Sequence, residues 1–202
     1  MARVSGVDIE YWDDGIYFPA EDTLLLLDNI SEGEGSFLDI GTGTGIVGIK
    51  AALCGYSVTS TDIDARCLYA ALRNSRINGV ETGLVRCNLL DAIRGTFDII
   101  AFNPPYLPDG NAPDTRLSGG DYGFELALRL LTCSGRVLSE EGKVMMVLSS
   151  LGGFDRFAEI VPPEWKMDVK QSFHASFETV YLAEFRRNNG SAQNPVNFTG
   201  EH

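Results

Sequence analysis

The sequence predicts a doubly wound α/β fold, with a mainly parallel seven-stranded sheet, helices on both faces and a C-terminal antiparallel hairpin. Three observations predict it. From Ser36 onward, short apolar and β-branched runs alternate with segments of helical periodicity. A glycine-rich turn, Gly41-Thr42-Gly43-Thr44-Gly45, joins the first run to a helix. The last two runs lie close together and are joined by a polar turn, which suits a hairpin.

Before Ser36, the extended stretch Ile16-Tyr17-Phe18-Pro19 precedes a leucine-rich helix over Asp22 to Ile30. Strand Ser36 to Ile40 then leads to a helix over Thr44 to Leu53, and strand Ser57 to Thr61 to a helix over Asp64 to Asn78. Leu84 to Cys87 and Phe97 to Phe102 are the next strands; the second is almost continuously apolar, as a strand buried on both faces must be. Glu125 to Leu138 carries Leu126, Leu130, Leu131, Val137 and Leu138 at helical spacing and precedes strand Lys143 to Leu148. A short helix over Phe154 to Val161 is followed by strands Met167 to Phe173 and Thr179 to Phe185. From Arg186 the chain turns polar and is expected to be loosely held.

At 202 residues with 44% hydrophobic content, the chain suits one domain with a sizeable core. It carries no apolar run of the ~18 residues that span a bilayer and no apolar signal core after Met1, so a soluble, cytoplasmic protein is expected. Cys54, Cys67, Cys87 and Cys133 are widely spaced, which suggests reduced core thiols rather than a metal site or a disulfide framework. Sixteen basic against 28 acidic residues give a formal charge of -12, whose field repels nucleic acid. Arg66, Arg73, Arg76, Arg86 and Arg94 fall in one third of the chain, at spacings that fit solvent faces of helix and loop.

Four successive strand ends carry residues suited to a ligand, and ligands bind at the carboxyl ends of open parallel sheets. In the first, Gly41, Gly43 and Gly45 stand at the first, third and fifth positions, whereas the dinucleotide fingerprint needs glycine at the sixth, here Ile46. The loop also lacks the Lys-Ser/Thr ending of a phosphate cradle, which favours a cofactor without phosphate. Asp62, about 20 residues on, is placed to accept from both ribose hydroxyls or to cap the following helix, a role Asp64 can also fill. Asn88 and Leu89 follow the third strand, where a polar group beside an apolar one suits an adenine. At the fourth end, Asn103-Pro104-Pro105-Tyr106 holds two successive residues extended before prolines. The Asn103 side-chain oxygen and the Pro104 carbonyl can then face the two hydrogens of a planar amide or amine, with Tyr106 stacked on it; the bland reading is a proline turn that ends a strand.

Asp39-x-Gly41-x-Gly43-x-Gly45, Asp62 and Asn103-Pro104-Pro105-Tyr106 together resemble the class I S-adenosylmethionine-dependent methyltransferases. Tyr17-x-Pro19-x-x-Asp22-Thr23 and Gly119-Gly120-x-x-Gly123-x-Glu125 resemble, within that class, the HemK-type protein glutamine N5-methyltransferases, in their short archaeal and eukaryotic branch. The resemblance, from about Ile16 to Phe185, implies that Thr23, Asp39 and Gly41 contact the methionine end of S-adenosylmethionine while Gly43 and Gly45 shape the loop. It implies that Asp62 holds the ribose, Asn88 and Leu89 the adenine, and Asn103 with the Pro104 carbonyl the accepting amide, with Tyr17, Pro105 and Tyr106 beside it. Relatives usually carry Asp where this chain has Asn88, which keeps an acceptor oxygen without the charge; Asp91 is a nearby substitute. The implied organisation is an N-terminal segment and helix over the cofactor site (1–35), a methyltransferase core (36–186) and a polar, flexible tail (187–202).

The same resemblance implies a translation release factor as substrate, methylated on the glutamine of a Gly-Gly-Gln motif, and a small zinc-binding activator subunit as partner. Strand Leu84 to Cys87, a sheet edge in the usual topology, is a docking place for it. The turn would hold the exocyclic amine of a base equally well, so a DNA or RNA amino-methyltransferase is the principal rival. A non-catalytic cofactor-binding subunit is the second. The acidic charge and the lack of a visible target-recognition domain weigh against the first, and the intact Asn103 turn and Asp62 against the second. No general base is required, and His174, expected in the loop between the last strands, and His202, at the terminus, are poor candidates for one.

Overall fold

A computed structural model describes residues 1–10, 15–106, 121, 123–175, 177–188 and 197–198. The chain opens with a two-stranded antiparallel hairpin that sequence reasoning did not anticipate, β1 (Ala2–Val4) and β2 (Val7–Ile9). Its turn places Ser5 and Gly6 at φ of 46° and 85°, and strands of three residues leave little periodicity to read. Then follow α1 (Glu21–Asp28), β3 (Ser36–Ile40), α2 (Ile46–Leu53), β4 (Ser57–Asp62), α3 (Ala65–Ile77), β5 (Gly83–Arg86) and β6 (Phe97–Phe102). The remainder comprises α4 (Glu125–Ser134), β7 (Leu138–Ser149), α5 (Phe154–Ile160), β8 (Trp165–Ala175), β9 (Glu178–Arg187) and β10 (Asn197–Phe198).

The seven predicted strands form one sheet in the order β8-β9-β7-β6-β3-β4-β5, with β10 adding two residues beside β8. Pairing is parallel from β7 through β5, and β9 runs antiparallel to both β7 and β8, as the predicted hairpin requires. Alternation along the strands divides the core in two. Leu38, Ile40, Ile100, Phe102, Val144 and Met146 pack on the face covered by Leu130, Leu131 and Phe157. Phe37, Ala101, Met145 and Val147 pack on the other, against Leu26, Leu27 and Ile49. Strand β6 lies between β3 and β7, so its carboxyl end, with Asn103 next in line, opens at the middle of the sheet.

Two predicted elements shift. The helix expected to reach Leu138 ends at Ser134, whose hydroxyl bonds back to the Leu130 carbonyl, with Gly135 as the C-cap. Leu138 joins the sheet instead, pairing with Phe97 across an irregularity in register, while Val137 lies in the turn before it and accepts from the Phe97 N–H. His174, expected in a loop, lies in β8 opposite Thr179. The cysteines also differ from expectation, since Cys133 is exposed and the other three are half-buried. Among the described residues no helix is long and apolar enough to cross a membrane.

Candidate active site

A cavity of about 680 Å³ opens at the carboxyl ends of β3, β4, β5 and β6, a volume typical of small-molecule sites. Every residue singled out from the sequence at these ends, except Gly45 and Asp91 and including Tyr17 and Thr23, lines it. The four-strand-end reading therefore describes one continuous space.

The glycine loop forms its floor. Gly41, Gly43 and Gly45 all have positive φ, at 63°, 53° and 87°. Gly45 is also a contact point, since a Cβ there would lie 2.8 Å from the Ala71 Cα on α3. Asp39, 3% exposed beneath the loop, accepts from the Thr42 hydroxyl at 2.6 Å and the Gly48 amide at 3.1 Å. Burial pushes its carboxyl up to about 7, against the lowering effect of those two donors. Asp39 thus braces the loop as well as lining the cavity. Gly45 acts beneath the floor, in contact with α3, and has no place on the cavity wall.

Asp62 sits half-buried at the end of β4, where Oδ2 accepts from the Gly43 amide at 3.1 Å and Oδ1 from the Asp64 amide at 2.9 Å. Asp64 is the N-cap of α3, accepting from the Arg66 amide at 2.8 Å, so the capping role considered for Asp62 falls to its neighbour. Leu89 adopts φ of 49°, rare for a leucine, within a turn where the Asp91 amide donates to the Asn88 carbonyl. Leu89 lines the cavity wall. Cys67 and Cys87 complete that end; burial pushes the Cys67 thiol up to about 12, with Asp62 adding to the effect.

At the opposite end, Asn103 follows β6 and Asp22 begins α1. Asp22, 5% exposed, gathers donors from three segments. Its Oδ1 accepts from the Tyr17 hydroxyl at 2.8 Å and the Thr23 amide at 2.6 Å, and its Oδ2 from Asn103 Nδ2 at 3.2 Å and the Tyr106 hydroxyl at 3.5 Å. Asn103 Nδ2 also donates to Thr23 Oγ1 at 3.2 Å. Asn103 Oδ1 is buried and accepts no hydrogen bond from any described residue. The amide is thus held by its nitrogen, while its buried oxygen is an acceptor without a donor. Burial and the Asp22 carboxylate both hold the Tyr17 and Tyr106 hydroxyls well above the usual phenol range, so both stay protonated donors. Behind the turn, Gly152 lets the Tyr106 carbonyl approach, since a Cβ there would lie 2.5 Å from it.

Sequence reasoning did not single out Asp22, although it stands in the quoted Tyr17-x-Pro19-x-x-Asp22-Thr23 stretch. It also missed Thr61, Leu126, Arg129 and Glu178, which line the cavity. The Thr61 hydroxyl is, with Asn103 Oδ1, a buried polar atom with no partner among the described residues. Glu178 bonds to the Ser149 hydroxyl and arrives from the start of β9, far along the chain. Four of the five clustered arginines have partners: Arg66 pairs with Asp64, Arg73 with Glu10, Arg86 with the Ile63 carbonyl and Arg94 with the Asp91 carbonyl. Gly119 and Gly120 lie outside the described residues. His174 bonds to Thr179 at 2.7 Å and is no part of the cavity wall.

Residues 20–160 match the methyltransferase small domain family. A provisionally named protein N5-glutamine methyltransferase of Methanocaldococcus jannaschii is 31% identical over 191 residues, 90% of this chain and 96% of its own. The release factor glutamine methyltransferase of Deinococcus radiodurans is 31% identical over 145 residues, 66% of this chain and 52% of its own, so the chain spans about half the length of that bacterial relative. Among solved structures, a chain of the E. cuniculi Mtq2–Trm112 complex, responsible for methylation of the eRF1 translation termination factor, superposes with a TM-score of 0.68 at 25% identity, covering 86% of this chain and 99% of that one. The family match across most of the chain, and the archaeal relative matched nearly end to end, accord with a sheet whose strand ends carry a glycine loop, a carboxylate and an Asn-Pro-Pro-Tyr turn: the chain belongs to the HemK-type protein glutamine N5-methyltransferase family, on the class I S-adenosylmethionine-dependent methyltransferase fold.

Proposed function

We propose that the chain transfers a methyl group from S-adenosylmethionine to the side-chain nitrogen of the glutamine in the Gly-Gly-Gln motif of a translation release factor. The observation that carries this reading is the buried, unpartnered Asn103 Oδ1, fixed through its own nitrogen by Asp22 and Thr23. The cavity residues fit the cofactor: an open glycine loop with no phosphate cradle, a carboxylate at Asp62, and the apolar Leu89 beside Asn88. When bound, S-adenosylmethionine supplies an electrophilic methyl group on a sulfonium sulfur.

The residues divide the rest of the work. Asp62 holds the ribose, Asn88 and Leu89 the adenine, and Thr23, Asp39 and Gly41 the methionine end. Asn103 Oδ1 and the Pro104 carbonyl each accept one N–H of the glutamine amide, which leaves the nitrogen lone pair turned toward the glycine loop. Tyr17, Pro105 and Tyr106 enclose the flat group. An amide nitrogen is a weak nucleophile, so alignment is the main contribution, potentially several kcal/mol. Methylation makes that nitrogen cationic, and the two acceptors, with the Asp22 and Glu178 carboxylates behind them, stabilise it until it releases a proton to solvent. The segment and helix within residues 1–35 act as the cover over this site and 36–186 as the core, followed by the polar sequence of 187–202.

The lining holds five carboxylates, Asp22, Asp39, Asp62, Asp64 and Glu178, against one cation, Arg129, among the described residues. That balance suits a protein loop better than a phosphate backbone. Strand β5 ends the sheet, which leaves its outer edge for a small zinc-binding activator subunit of the kind the family resemblance implies. The protein works in the cytoplasm, with its translation-factor substrate. The direct test of the roles is Asn103→Ala. Binding of S-adenosylhomocysteine stays within about threefold, since the lost contact is to the acceptor, while turnover falls by about 10²-fold or more. Loss of cofactor binding would move Asn103 into the cofactor site and overturn the assignment.

A further inference from the structure

We propose that Asn74 is a positioning residue for the cofactor loop, and that through it the N-terminal hairpin β1–β2 becomes part of the cofactor-binding apparatus. This rests on the glycine loop holding the cofactor. The hairpin lies outside the residues, 20–160, that match the family domain.

Asn74 is fully buried on α3, at 0% exposure. Its Nδ2 donates to the Thr44 carbonyl of the glycine loop at 2.8 Å, and its Oδ1 accepts from the Glu10 amide, just beyond β2, at 2.8 Å. One turn further along, Asn78 repeats the pattern: Oδ1 accepts from the Asp8 amide at 2.9 Å and Nδ2 donates to the Asp8 carbonyl at 2.7 Å. Arg73 closes the seam with an ion pair to Glu10 at 2.7 Å. The backbone of residues 8 and 10 is therefore stitched to α3 by side chains at i and i+4, which share one helix face. On the same helix, Ala71 is the surface against which Gly45 packs.

Asn74 thus joins two segments that reach the cavity. Thr44 lines it directly, and Gly15, Ile16 and Tyr17 line it a few residues after Glu10. Three glycines at positive φ give the loop backbone much freedom, and the Thr44 carbonyl is where α3 restrains it by hydrogen bonding. Without the Nδ2 donor that buried carbonyl is left unpartnered, and the loop ordering needed for cofactor binding must be supplied on binding itself.

The test uses the full chain and calorimetric binding of S-adenosylhomocysteine. Asn74→Asp keeps an acceptor for the Glu10 amide and loses the donor to Thr44. It should weaken binding about tenfold and raise the cofactor KM in proportion, leave the KM of the protein acceptor unchanged, and speed hydrogen exchange in residues 41–45. The double variant Arg73→Ala/Asn78→Ala frees the hairpin while keeping the Asn74 bonds, and should weaken binding about threefold. Wild-type affinity in Asn74→Asp, or an equal rise in both KM values, overturns the proposal. If Asn74→Asp does not fold, wild-type affinity in the double variant overturns it as well. A wild-type chain that does not bind the cofactor contradicts the proposed function, whereas a binding wild type with unaffected variants contradicts only the role of Asn74.

Discussion

Asn103 Nδ2 lies 3.2 Å from Asp22 Oδ2, a contact between residues 81 apart in sequence that turns the donor end of the Asn103 amide toward α1. A carboxylate accepts and cannot donate, so the amide NH₂ must face Asp22 and the oxygen must face away. The orientation that the proposed role of Asn103 requires is therefore set by the start of α1.

Replacing Asp22 with Asn removes that orientation signal, because an amide can present its own NH₂ to Asn103. Turnover should fall by about 10²-fold, with cofactor affinity changed by less than about threefold. Single-turnover methylation and calorimetry on Asp22→Asn separate the two. Equal losses in both would mean that Asp22 serves the cofactor instead.

Gly45→Ala should be the costlier of two glycine substitutions in the loop. It combines positive φ with a Cβ placed 2.8 Å from Ala71 Cα, whereas a Cβ on Gly43 would meet nothing closer than 4.0 Å. Thermal or urea unfolding should show a loss of about 2–4 kcal/mol for Gly45→Ala and about 1 kcal/mol for Gly43→Ala.

Asp39 predicts a pH dependence of stability. Its folded-state carboxyl is raised from 3.8 to about 7, so the folded protein binds a proton there that the unfolded chain has already released. This contribution is fully present below about pH 4 and is lost as pH rises toward 7. Asp39→Asn, which keeps an acceptor for Thr42 and Gly48, should flatten that part of the melting-temperature profile between pH 4 and pH 7. An unchanged slope would show that Asp39 is already ionised in the folded state.

The central strands β3, β6 and β7 were legible because most of their residues are buried and read as apolar runs; Phe97–Phe102 matches its predicted bounds. The loop glycines were legible because positive φ restricts residue choice. Val137 and Leu138 were not, because two apolar residues after a helix fit helical spacing as well as a strand start. The β1–β2 hairpin escaped for the opposite reason, with too few residues to show a period. Within the site, strand ends could be read from local pattern, but Glu178 and the Asp22–Asn103 contact arise from long-range packing that leaves no local trace.

The most direct measurement is transfer of labelled methyl from S-adenosylmethionine to a translation termination factor, to its variant with the Gly-Gly-Gln glutamine replaced by asparagine, and to duplex DNA and structured RNA, with and without the proposed zinc-binding subunit, followed by mass spectrometry of the labelled residue. The account predicts one methyl group on that glutamine, none on the asparagine variant and none on nucleic acid. Label on nucleic acid, with the termination factor unmodified, would contradict it.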